Sequence, residues 1–185
     1  MTSRPVHAAL SRVARPASAV LIALVLLGGC DIHPGVAAVE SFTDSAGQPV
    51  SVSVSEQDVS NAVTELSALQ VGRNMVLSFL LDYPVLEDVM KTEGVTVSDA
   101  EVSTFTKNLF DSVGQHVPEL SPAAQQVTRQ LTLAEKFKTL DPEQMQRVKA
   151  KFQDVRMHSQ HKISPRYTER PWIANPAQQA PSQGR

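Results

Sequence analysis

Hydrophobic residues recur along this chain with three different spacings, and each spacing predicts a different element. Val50-Ser-Val-Ser-Val54 alternates with period two, the signature of a half-buried strand and of one arm of a hairpin. Upstream, Val36-Ala-Ala-Val39 is a short apolar run, and Ser41–Gln48 reads as a polar turn. From Ser55 the period changes to that of a helix. Ser55-Glu-Gln-Asp58 has the form of a capping box with Asp in the last place, and Val59, Ala62, Val63, Leu66 and Leu69 follow on one stripe. Gly72 interrupts this pattern. From Asn74 to about Thr92 the chain is apolar on more than one face, which predicts a central helix, with a kink near Leu80–Asp82 imposed by Pro84.

Glu93-Gly94 ends that helix, and Ser98 with Glu101 forms a full capping box for the next. Its stripe is Val102, Phe105, Leu109 and Phe110 or Val113. Ser121-Pro122 and Asp141-Pro142 each pair an N-cap with proline at the first helical position. The helix from Asp141 carries Met145, Val148, Phe152 and Val155 on one face, with Arg147, Lys149, Lys151 and Arg156 outside it. Lys162-Ile-Ser164 reads as one more short strand, expected to pair with Val50–Val54 at the other end of the domain. The Pro-, Gln- and Ala-rich residues 174–185 have the composition of a disordered tail. The expected fold is mainly α, with a small β element built from both ends of the mature chain.

The third spacing is no spacing at all: Ala19–Leu27 is continuously apolar. Arg4, Arg12 and Arg15 precede it, and no acidic residue occurs before Asp31. Nine apolar residues fall far short of the ~20 that a spanning helix needs. The segment therefore reads as a secretory signal, residues 1–29. Leu27-Gly-Gly-Cys30 resembles a bacterial lipobox at every position. That resemblance implies cleavage between Gly29 and Cys30 and acyl chains on the Cys30 thiol. The chain has no second cysteine for a disulfide, which agrees with a lipidated thiol. Two or three acyl chains give a durable anchor where one does not. The expected location is the extracytoplasmic face of a cell membrane.

Charge then divides the mature chain. Residues 31–111 hold 13 acidic and 3 basic side chains, net −10, whereas residues 112–185 hold 6 and 11, net +5. The halves can neutralise one another by packing, or either can meet a partner; mutual neutralisation is the simpler expectation. The overall acidity and the export signal argue against nucleic acid as a ligand. No phosphate-binding glycine loop or nucleophile elbow is present, and no small-molecule substrate, cofactor or metal is expected. His158 and His161, spaced i, i+3 at a helix end, supply only two local ligands and read as solvated.

Three segments in order resemble the N-terminal chaperone domain of the SurA family, in its small actinobacterial lipoprotein form. They are His33–Val39 leading to Val52–Asp58, then Glu93-Gly-Val-Thr-Val-Ser-Asp-Ala-Glu-Val102, then Ile163-Ser-Pro-Arg-Tyr167 with Trp172. The likeness departs at Ser164 and Thr168, and in a Glu40–Gln48 turn longer than relatives have. It implies one helical domain, residues 30–173, that binds unfolded or exported proteins without catalysis. Full-length relatives add parvulin domains for prolyl isomerisation. There is no room for one here, since no glycine lies between Gly114 and Gly184 to turn its sheet. On this reading Met75, Phe79, Met90, Phe105, Tyr167 and Trp172 are candidate peptide-binding residues, methionine suiting variable clients through its adaptable side chain. Tyr167 and Trp172 have a second reading, locking the C-terminal strand against the helices. A structural adaptor that docks one folded envelope protein is the alternative function.

Overall fold

The computed structural model describes residues 34–167; the expected signal segment 1–29, Cys30, Trp172 and the expected tail 174–185 lie outside the described residues. Strands β1 (Val36–Thr43) and β2 (Pro49–Ser55) form a hairpin. Helices α1 (Glu56–Glu65), α2 (Arg73–Thr92), α3 (Asp99–Ser112), α4 (Pro122–Lys138) and α5 (Pro142–His158) follow, and β3 (Gln160–Ile163) returns to the sheet. The described part is thus mainly helical with one three-stranded antiparallel sheet, in the order β2-β1-β3.

The helix starts are where the local chemistry places them. Ser55 accepts from the Asp58 amide while Asp58 reaches back to the Ser55 amide, and Ser98 and Glu101 do the same for α3. Ser121 and Asp141 cap α4 and α5, each followed by proline in the first turn. Each cap satisfies amides that the first helical turn would otherwise leave open.

Three expectations need correction. First, β1 does not stop at Val39 but runs to Thr43, so the turn is only Asp44–Gln48. Asp44 Oδ1 accepts from the amides of Ala46 (2.9 Å) and Gln48 (2.8 Å), a side-chain mimic of a backbone turn, and Gly47 supplies the positive φ of 76°. The charge of Glu40 hid the continuing alternation of Ala38, Glu40 and Phe42, all buried. Second, the Val50–Val54 strand and the C-terminal strand do not pair with each other. Both pair with β1, which lies between them, with Glu40 opposite Val52 on one side and His161 on the other.

Third, α2 runs through Pro84 as one helix, as expected, but most of its apolar surface, on which Met75, Phe79 and Met90 were to meet a client, is filled. Leu80, Leu81, Val85 and Val89 are each no more than 2% exposed. The reason is that α2 has neighbours on several faces: α1, α4 and α5 pack on it, and so do β1 and β2. The apolar faces covered in this way are core, not a client surface. On α3 the buried positions are Val102, Thr106 and Phe110, a stripe at i, i+4, i+8; Phe105 and Leu109 are only half-buried and Val113 is exposed.

Candidate functional site

An open groove of ≈ 760 Å³ runs between α3, α4 and the Val113–Leu120 connection. It exists because α3 presents only a narrow apolar stripe to α4. Val102, Val117 and Leu120 give it apolar spots, while Ser103, Thr106, Gln125 and Thr128 give it hydroxyls and an amide. Thr106 is 4% exposed, and its hydroxyl lacks a hydrogen-bond partner among the described residues. A buried polar group left unpaired is costly unless a bound water or ligand satisfies it. Gly114, in the left-handed region at φ 69°, ends α3: its own amide donates to the Asp111 carbonyl and the Gln115 amide to the Phe110 carbonyl, each at 3.0 Å. Pro118 then keeps the connection extended past the groove.

Charges hold the groove's rim. Asp99 pairs with Arg129 and Lys107 with Asp111. Below them, Glu101 accepts from Lys136 at 2.7 Å, and with Ser98 this pulls the Glu101 carboxyl down to about 2. The Asp99–Arg129 and Glu101–Lys136 pairs clamp α3 to α4 at the N-terminal end of α3. On the far side of the domain Glu93 takes both Arg147 (2.9 Å) and Lys151 (2.7 Å). In every one of these contacts except Lys107–Asp111 an acidic group from the first half meets a basic group from the second, as the charge division predicts.

The sequence reading missed a buried ionic node. Glu40 on β1 is fully buried and accepts from Arg156 Nη1 of α5 at 2.5 Å, while Arg156 Nη2 lies 3.3 Å from Asp82 on α2. Arg156, expected on the solvent side, has a side chain only 9% exposed. Directly opposed residues of an antiparallel pair share a face, so His161 stands beside Glu40 on the helix-facing side of the sheet. Each member carried a signal. Asp82 is the one charged residue between Arg73 and Glu87, Arg156 falls on the Val148–Phe152 stripe, and Glu40 holds an inward place in β1. Burial pushes the Asp82 carboxyl up to about 6, against the pull of Arg156 and with the help of Glu40.

A raised carboxyl pKa means that the folded chain binds this proton more tightly than the unfolded chain does. Stability from Asp82 should therefore rise as pH falls from about 6 toward the ordinary carboxylate range near 4. Asp82→Asn is uncharged at all pH and should remove that rise. Urea unfolding at pH 7 and pH 4.5 tests it: an identical pH dependence in wild type and variant would clear Asp82 of the effect.

The candidate peptide-binding residues do not come together. Met90 is fully buried in the cluster around Phe42, Val85 and Val148, where no client can reach it. Tyr167 is 5% exposed in the other cluster, against which Phe79 packs half-buried. Its hydroxyl donates to Glu56 (2.9 Å) and accepts from Arg73 (3.2 Å), so it fastens the end of the described chain to α1 and α2. Met75 is 39% exposed, and neither it nor Phe105 lines the groove. His158 and His161 separate as well. His158 ends α5, highly exposed beside Asp154, whereas His161 lies in β3. Among the described residues no three His, Cys, Asp or Glu side chains are placed to hold a metal ion.

A comparison with protein-family models, curated proteins and solved structures finds no match to this chain.

Proposed function

We propose that this chain is a non-catalytic lipoprotein, tethered outside the cell membrane through Cys30, which holds extended segments of unfolded exported proteins in the α3–α4 groove. The groove carries the proposal. Its open course between two helices suits an extended chain, its valines and leucine suit apolar side chains, and its hydroxyls and amide suit peptide groups. Val117 is 39% exposed there, and Val113, 46% exposed, adds apolar surface at the same end of α3. The likeness of residues 33–172 to the SurA N-terminal domain supports the same reading. Relative to the sequence-based expectation, the binding surface moves from α2, which is core, to α3 and α4.

The chain from Asp31 onward, free of lipid, should slow aggregation of an unrelated unfolded protein at near-stoichiometric ratio without ATP. Ser103→Trp places a large ring in the groove from an exposed position and should abolish that effect while leaving the thermal midpoint unchanged. A folded protein that fails at several-fold excess would hand the function to the adaptor alternative, docking one folded envelope protein. An active Ser103→Trp variant would move the site elsewhere.

The tether has its own test. Cys30→Ala should remove the chain from the lipid-anchored fraction, leaving it as uncut precursor or soluble material. Mature wild-type protein whose mass lacks acyl chains would contradict the anchor.

A further inference from the structure

The sheet has two edges, and they differ in chemistry. β3 is four residues long and carries His161 and Lys162, the kind of polar and charged side chains that blunt an edge. β2 is seven residues long, Pro49-Val-Ser-Val-Ser-Val-Ser55, without a charge. Its proline stands at the first position, outside the Val50–Val54 stretch. The β1–β2 register runs unbroken from Ala38–Val54 to Thr43–Pro49, because the irregularity in β1 lies between Val36 and Ala38, near the other end of the hairpin. Among the described residues, β1 is the sole ladder partner of β2, and no turn or loop backbone group bonds to Val50–Val54. An uncharged, regular strand with one open side is a template for another strand.

We infer that this edge pairs with β2 of a second copy of the chain. The sequence Val50-Ser-Val-Ser-Val54 reads the same in both directions, so an antiparallel pair about a two-fold axis at Val52 is self-complementary. Val50 then faces Val54 of the second copy, Val52 faces Val52, and Ser51 faces Ser53. Val50 and Val52 are half-buried beneath the helices and gain cover from the opposing valines, while Ser51 and Ser53 are exposed on the other face. No like charges oppose one another along the five residues, although the first half of the mature chain is strongly acidic. The product is one continuous sheet, β3-β1-β2 joined to β2-β1-β3. A single strand pair is a small interface, so it forms chiefly at high local concentration. Attachment to a membrane supplies that concentration, and the pairing itself does not depend on what the groove binds.

The register gives the test. Full-length chains carrying Ser51→Cys and Ser53→Cys under different tags are co-expressed, and the intact cells are mildly oxidised, with the Cys30-only parent as control. Mixed Ser51→Cys/Ser53→Cys disulfides should exceed those in cells expressing either variant alone by several-fold. Adding Ser53→Lys to the chain that carries Ser51→Cys puts a charge opposite the partner's strand at an exposed position. It should abolish the mixed product with the thermal midpoint unchanged. Equal yields in mixed and single cultures, or crosslinks to other proteins with no mixed disulfide, overturn the inference. Repeating the pair with Cys30→Ala separates the tether from the strand: the chains recovered as soluble material should pair less, and a lost groove activity would leave the disulfide untouched.

Discussion

Arg156→Ala is expected to cost about 3–5 kcal/mol of folding stability, the range for stripping one partner from a buried ion pair. The size follows from what remains. Glu40 is fully buried, its Oε2 has no hydrogen-bond partner among the described residues, and Oε1 takes Arg156 at 2.5 Å. Without the guanidinium, Glu40 and Asp82 face each other's charge inside the protein. Arg156→Lys should also destabilise, because one ammonium cannot present the fork that reaches Glu40 with Nη1 and Asp82 with Nη2. Arg156→Met combined with Glu40→Gln removes both charges and should cost less than Arg156→Ala alone. Urea unfolding of the four proteins measures this. A thermal midpoint for Arg156→Ala within about 2 °C of wild type would show that the node is not a stabilising feature.

Cutting the chain after His161 should be almost as damaging, whereas removing only residues 174–185 should leave the thermal midpoint unchanged. The longer deletion removes Lys162 and Ile163 from β3, the Ser164 amide that donates to Ala37 at 2.8 Å, and the buried Tyr167 ring. Loss of a buried aromatic alone costs about 3–5 kcal/mol. Tyr167→Phe separates the ring from its hydroxyl: it keeps the packing, drops the bonds to Glu56 and Arg73, and should lose only about 1 kcal/mol. If the cut chain melts with the full-length protein, the C-terminal segment is not part of the folding unit.

Both predictions concern contacts that join distant parts of the chain, and these were the hardest to read. The four helix starts at Ser55, Ser98, Ser121 and Asp141 were legible because a cap is a bond between residues three apart. The length of α2 was legible too, expected from Asn74 and observed from Arg73. What surrounds α2 was not. A helix apolar on several faces is the same sequence whether those faces meet a client or meet α1, α4, α5 and the sheet. The α3–α4 groove was invisible for the converse reason. Ser103, Thr106 and Thr128 read as ordinary helix-surface residues, and they become a lining only when the two helices stand side by side.

What the sequence determined by itself is the set of elements and their ends, since caps, prolines and hydrophobic periods act over three to eight residues. It also made attraction between the two halves the simpler expectation, because opposite net charges need no register to be recognised. Tertiary structure alone decided which charges meet and which apolar faces close. Glu40 is an interruption of a strand pattern until Arg156, 116 positions later, arrives to neutralise it. Only a folded chain brings the two within 2.5 Å, and without that contact burying Glu40 would cost more than the strand returns.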